Sequence, residues 1–155
     1  MLSRFEKFIY YITESDLYWH RIASAVMSEF NLKGNCAVYF ILLHTDPEGL
    51  TSSQLAARSG RDKADVSRDI AILEQGGFVR RVLNDGSAYR ARIVLTDAGR
   101  AITEKVIRKT EQAVECVGGE LSEEERAVFY RALSVITDNL QRVSANGLAP
   151  EEGES

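Results

Sequence analysis

The sequence predicts a mainly α-helical fold with a small β-hairpin wing, that is, a winged helix-turn-helix set between long N- and C-terminal helices. Three observations lead there. Two capped helical segments follow closely on one another between Leu50 and Gln75. Two short alternating segments with turn residues between them follow at 78–95. Long stretches of helically spaced apolar residues lie on either side.

In the helix pair, Thr51 and Gln54 form a T-x-x-Q capping box, in which hydroxyl and amide each satisfy a backbone N–H left unpaired at a helix start. The helix from Ser52 is short because Gly60 can take the left-handed conformation that ends it. Asp62 caps the next helix and Asp65 lies in its first turn, where both carboxylates suit the positive end of the helix dipole. Ala56, Gly60 and Val66 then supply the small residue, the tight turn and the apolar anchor that a helix-turn-helix requires.

Helical spacing puts Val66, Ile70 and Leu73 on one face of the second helix, and Arg61, Ala64, Arg68, Ala71 and Gln75 on the other, with Ser67 at its edge. Small residues beside Arg and Gln suit a surface that enters a major groove, where bulk would hold the helix off the bases. An ordinary solvated face is the alternative for the helix alone.

Phe78–Val82 and Arg90–Leu95 have strand composition, with Ala91, Ile93 and Leu95 on one face and Arg90, Arg92 and Val94 on the other. Asn84-Asp85-Gly86 supplies the turn. From Arg58 to Arg92 there are eight Arg and Lys against five Asp and Glu, in a chain whose net charge is −4. An acidic chain whose positive surplus falls in this module is consistent with binding double-stranded DNA.

The runs LTSSQLA, DKADVSRDIAILEQGGFVRR and VLTDAGR, in that order and spacing, resemble the MarR family of bacterial winged-helix transcription regulators, and the whole length fits that plan. The resemblance implies a homodimer whose recognition helix enters the major groove and whose wing arginine enters the minor groove. By position, the groove-facing residues would be Lys63, Ala64, Ser67 and Arg68, with Arg61, Ala71 and Gln75 on the same face and Thr51, Ser52 and Ser53 as phosphate contacts. The wing departs from the family pattern. Ser87, Ala88 and Tyr89 stand where an acid and arginines are usual, so Asp85 and Arg90 are the nearest, displaced equivalents, joined by Arg92 on the same strand.

The flanks are predicted to be helical. Ser3 and Glu6 form a capping box, and Phe5, Phe8, Ile9, Ile12, Trp19, Ala23, Val26, Met27 and Phe30 recur at helical spacing, giving a helix to about Phe30. Cys36–Leu43 reads as a short buried helix stopped by Asp46-Pro47-Glu48-Gly49. Thr96 caps a helix to about Val117, Gly118-Gly119 breaks it, and Ser122 with Glu125 caps the last, ending near Ala145. The expected organisation is a single domain over 1–145, with dimerisation helices at 1–30 and 97–145 around the module at 34–96, and an acidic mobile tail at 146–155. Val128, Phe129, Leu133, Ile136 and Leu140 exceed what a small winged helix needs to bury, which favours a homodimer over a larger monomeric core.

Asp16 on the first helix, with Trp19 beside it and His20 one turn on, is a candidate pocket for a small aromatic effector, against the plainer reading of an ion pair or solvated acid. Cys36, among apolar neighbours, and Cys116 read as structural thiols, and neither they nor His20 and His44 have metal-ligand spacing. No cofactor is indicated. The 155 residues, 45% hydrophobic, can bury a real core, while no segment has the length of apolar sequence a membrane helix needs and the N-terminus lacks a signal-peptide core. A cytoplasmic protein without membrane association is expected. No nucleophile, base and orienting group can be assembled, so an enzyme is not expected. The alternative function is a protein–protein interaction module without DNA binding, which would use Asp62, Asp65 and Asp69 as an acidic row.

Overall fold

The computed structural model describes residues 3–84 and 87–147, with side chains omitted at 84 and 87–90. Asp85 and Gly86 of the expected turn, and 148–155 of the expected acidic tail, lie outside the described residues. Among the described residues the chain forms α1 (Arg4–Ser28), α2 (Cys36–Thr45), α3 (Ser52–Ser59), α4 (Lys63–Gln75), β1 (Val79–Asn84), β2 (Ser87–Leu95), α5 (Asp97–Val117) and α6 (Glu123–Asn146). It divides into two compact units, 1–113 and 114–155, with the last turn of α5 belonging to the second.

The predicted caps form. At α1, α3 and α6 the side chains of Ser3, Thr51 and Ser122 accept from the backbone N–H of Glu6, Gln54 and Glu125, whose own side chains accept in return from the capping residue's N–H. That backbone hydrogen bond favours the charged carboxylate and holds the Glu6 and Glu125 carboxyls below their ordinary range. Gly60 ends α3 at φ +66°, and Asp62 accepts the Ala64 N–H at 2.8 Å to start α4.

In the first unit, α2, α3 and α4 pack around Tyr39, Phe40, Leu55, Val66, Ile70 and Leu73, all fully buried. The hairpin closes one side of this core with Val79, Ala91, Ile93 and Leu95. The strands are antiparallel, Val79 opposite Leu95 and Val82 opposite Arg92, with a register shift between Val82 and Asn84. Both are longer toward the tip than their composition indicated, β1 running past Val82 and β2 starting at Ser87 rather than Arg90. Leu50 adds a bridge not anticipated from the sequence: its N–H and C=O pair with Ile93 at 3.1 and 2.8 Å, so the loop before α3 serves as a rudimentary third strand.

The T-x-x-G end of the L-T-x-x-G run has a physical reason at Thr96 and at Gly99. Thr96 Oγ1 accepts the Gly99 N–H at 3.0 Å, capping α5 as expected, and its hydroxyl approaches the carbonyls of Gly77 and Phe78. A Cβ on Gly99 would stand 1.9 Å from the Phe78 carbonyl oxygen, so only glycine lets α5 begin against the root of β1.

Among the described residues the core holds one acid. Asp69, read from the sequence as part of an exposed acidic row, is 5% exposed on the inner face of α4. An unpaired buried carboxylate is strongly disfavoured, and Asp69 has two hydrogen-bond donors and a cationic neighbour. Asn35 Nδ2 and the Tyr39 hydroxyl donate to its Oδ2 at 2.5 and 3.1 Å, and Arg61 Nη2 lies 3.8 Å from the same oxygen. Burial, reinforced by the Asp69 charge, pushes the Tyr39 hydroxyl up to about 12 and the Cys36 thiol up to about 11. The structural reading of Cys36 agrees with this burial, whereas Cys116 is exposed, contrary to its expected resemblance to Cys36.

The second unit contains the end of α5, the break at Gly118-Gly119 and α6. Arg126 Nη1 bonds Glu115 Oε2 at 3.1 Å across that break. None of the residues of α6 is buried. Among the described residues no helix is long and apolar enough to cross a membrane.

Gly99→Ala forces the start of α5 off β1 and should cost about 1–3 kcal/mol, read as a lower denaturation midpoint at unchanged slope. An unchanged midpoint would show that the close approach to Phe78 relaxes freely. For Cys36 and Tyr39 the folded values are raised, so the neutral groups favour the fold below their ordinary values and the contribution is lost as pH rises through the folded ones. Stability should therefore decline from about pH 9 toward 12. Near pH 8 a thiol reagent should label Cys116 quickly and Cys36 only on unfolding, and rapid native labelling of both would contradict this burial.

Candidate nucleic-acid interface

The site is built on α4, whose inner face is fixed by Val66, Asp69, Ile70 and Leu73. On the outer face Lys63, Ala64, Ser67, Arg68 and Gln75 are exposed and Ala71 is half-buried. These are the residues that the sequence grouped, with one exception. Arg61, expected on the groove face, turns inward, where its guanidinium faces Asp65 and Asp69 at 3.9 and 3.8 Å and its Nε is buried without a hydrogen-bond partner.

Arg68 projects from the helix with its side chain 71% exposed and braced by an i,i+3 ion pair to Asp65. An exposed pair of this kind is worth little, so it restrains the guanidinium without locking it away from a phosphate or base edge. Asp65 is engaged by both Arg61 and Arg68. Of the three acids proposed as an exposed row, then, one caps the helix, one is ion-paired and one is buried.

At the start of α3, the Thr51 hydroxyl is occupied by the capping box, Ser52 is half-buried and Ser53 is exposed. These three residues stand at the positive end of α3, a place suited to a phosphate.

In the wing, Arg92 does not project freely as expected. Its Nη1 donates to the Gly49 carbonyl at 3.0 Å and ties β2 to the loop between α2 and α3. Gly49 is at φ +84°, and a Cβ there would meet the Ile93 carbonyl oxygen at 2.6 Å, so this contact depends on glycine. Arg81 Nε bonds Glu74 Oε2 at 3.1 Å, joining the wing to the end of α4, while Arg80, not singled out from the sequence, is exposed at its root. Asp85 lies outside the described residues, as does the side chain of Arg90.

The candidate effector residues separate. Trp19 and His20 line a cleft of about 290 Å³ together with Ala23, Gly34, Asn35, Val38, Ile41, Ser59 and Arg61. Asp16 is not among its walls. Its side chain is 72% exposed, with Oδ1 3.2 Å from His20 Nδ1, so the apolar setting inferred from its neighbours in sequence is not present. Among the described residues, no three His, Cys, Asp or Glu side chains gather where they could hold a metal ion.

Comparison with known proteins agrees with this geometry. A family model for the IclR helix-turn-helix domain matches residues 40–83, from the middle of α2 to the first strand of the wing. No curated protein matches at the sequence level. Solved structures match over nearly the whole chain. A MarR transcriptional regulator from Methanosarcina mazei is similar with a TM-score of 0.82 at 15% identity, covering 92% of this chain and 94% of its own. A MarR family regulator from Listeria monocytogenes in complex with a 26-mer DNA gives 0.80 at 18%, covering 92% and 97%. Staphylococcus aureus MepR bound to DNA gives 0.76 at 18%, covering 90% and 99%. The chain thus has the winged-helix fold of MarR-type transcriptional regulators, structures with DNA bound among them.

Proposed function

We propose that this protein is a sequence-specific DNA-binding transcriptional regulator, acting as a homodimeric repressor of a palindromic operator and released by a small effector. The observation that carries the reading is the division of α4. One face is anchored in the core, and the other presents Lys63, Ala64, Ser67 and Arg68 to solvent with nothing bulky between them. Such a face fits the width of a major groove and leaves the long side chains to reach base edges and phosphates. The DNA-bound relatives in fold support the same partner. A protein–protein module is less well supported, because the acidic row it would have used is dispersed into a cap, an ion pair and a buried group.

The homodimer rests on apolar surface. In α1, Phe5 is 72% exposed, and Phe8, Ile9 and Ile12 continue its stripe in contact with water. In α6, Phe129, Leu133 and Leu140 are exposed at helical spacing. A row of exposed apolar side chains along a helix is the kind of surface that marks an interaction site, and a second copy would cover each stripe. A two-fold dimer would set two recognition helices about one DNA turn, ~34 Å, apart, as a palindrome requires. The cleft at Trp19 and His20, with aromatic walls and a few polar groups, is the proposed seat of the effector.

Arg68→Ala should weaken binding to the operator by roughly 1–3 kcal/mol if the guanidinium meets a base edge, with the fold intact. An unchanged gel-shift titration would remove Arg68 from the interface. For the dimer, Leu133→Asp places a charge in the α6 stripe and should convert a micromolar dimer to monomer in sedimentation. Operator affinity should fall with it, because two linked heads gain from effective concentration. A full-length chain that sediments as a monomer while binding a palindrome tightly would overturn the dimeric reading.

A further inference from the structure

The outer face of α4 accounts for DNA contact, but not for an acid on its inner face. Asp69 adjoins Ile70 within the helix and lies among Val66, Ile70 and Leu73, where an apolar side chain would serve the core. Replacing a buried ionic group by an apolar one is often neutral or stabilising, so folding alone does not call for Asp69. Its geometry offers something apolar packing lacks. Apolar contact is non-directional and tolerates a small rotation of the helix, whereas hydrogen bonds weaken steeply when misaligned.

The donors also come from separate elements. Tyr39 is in the middle of α2, and Arg61 is in the turn between α3 and α4. Asn35 precedes α2 and follows Gly34, which abuts α1 so closely that a Cβ there would stand 2.8 Å from the Ser24 Cα. A continuous path of contacts therefore runs from α1 through Gly34 and Asn35 to Asp69, and Asp69 is bonded in sequence to Arg68.

We propose that Asp69 is a positioning residue: the Asn35–Tyr39–Arg61–Asp69 network fixes the rotation of α4 about its own axis, aims Ser67 and Arg68 at the bases, and references that aim to α1. This rests on the reading that the outer face of α4 meets DNA. It assigns the network a role in discriminating between DNA sequences rather than in affinity for DNA as such, because phosphate contacts tolerate a change of aim that base contacts do not.

The test uses the full-length protein and a duplex it selects from a random-sequence pool, with a scrambled duplex of the same composition as control. The double variant Tyr39→Phe with Asp69→Leu removes the buried carboxylate and the hydroxyl that would otherwise lose its acceptor. It should fold, and its preference for the selected over the scrambled duplex should fall roughly tenfold or more while affinity for the scrambled duplex holds. Asp69→Asn, which keeps an acceptor for Tyr39, should retain most of the preference. Tyr39→Phe alone should lose part of it, and it supplies the answer if the double variant does not fold. A folded double variant, or Tyr39→Phe, with wild-type preference overturns the proposal. So does an Asp69→Asn variant as indiscriminate as the double, since alignment by hydrogen bonds would then not be the cause. A wild-type protein that enriches no sequence is a separate result, and overturns the proposed function itself.

Discussion

The Asp69 carboxylate is the interaction on which the helical module turns. Once taken out of water it must be given partners, and it has two hydrogen-bond donors, from the α1–α2 connection and from α2, and a guanidinium from the α3–α4 turn. The apolar core explains why these elements collapse together. The carboxylate explains why they meet in one orientation, because Asn35 and Tyr39 must arrive at hydrogen-bonding distance and angle. The raised thiol of Cys36 and hydroxyl of Tyr39 belong to the same enclosure, since a region that excludes water from one charge discourages the formation of others.

The second constraint is close backbone approach. Gly34 against Ser24, Gly49 against Ile93 and Gly99 against Phe78 are three points where a side chain would part the elements. At each, a loop or helix start is pressed onto a neighbour, so the helix pair, the wing and α5 are held by main-chain proximity as well as by side-chain packing. This is why the exposed face of α4 can be polar and sparsely furnished. Its placement is secured from behind.

Much of this was legible in the sequence, and the legible parts are local. The boxes at Ser3, Thr51 and Ser122, the turn at Gly60 and the cap at Thr96 are decided by residues three apart or less, and the buried stripe of Val66, Ile70 and Leu73 by helical period. What escaped depends on distant partners. Asp69 looks like any polar helix residue until Asn35 and Tyr39, more than two dozen residues away in the chain, are folded onto it. Arg61 and Arg92 look like free cations until Asp69 and the Gly49 carbonyl are brought to them. Asp16 misled in the opposite sense, because apolar neighbours along the chain do not ensure apolar surroundings in space. The stripes of α1 and α6 were read correctly as apolar, but one chain leaves them in contact with water.

The wing has an uneven construction. Its root is fastened by the Leu50–Ile93 bridge, the Arg92–Gly49 hydrogen bond and the Arg81–Glu74 pair, whereas the register shifts once Val82 is passed. A slip in pairing ordinarily turns every later side chain to the opposite face of a strand. Here that slip is confined beyond the Val82–Arg92 pair, so insertions, deletions or substitutions toward the tip leave the inward placement of Ile93 and Leu95 undisturbed. The hairpin is in effect a fixed handle with an exchangeable end, and descendants of this sequence could try new wing lengths and chemistries without putting the fold at risk.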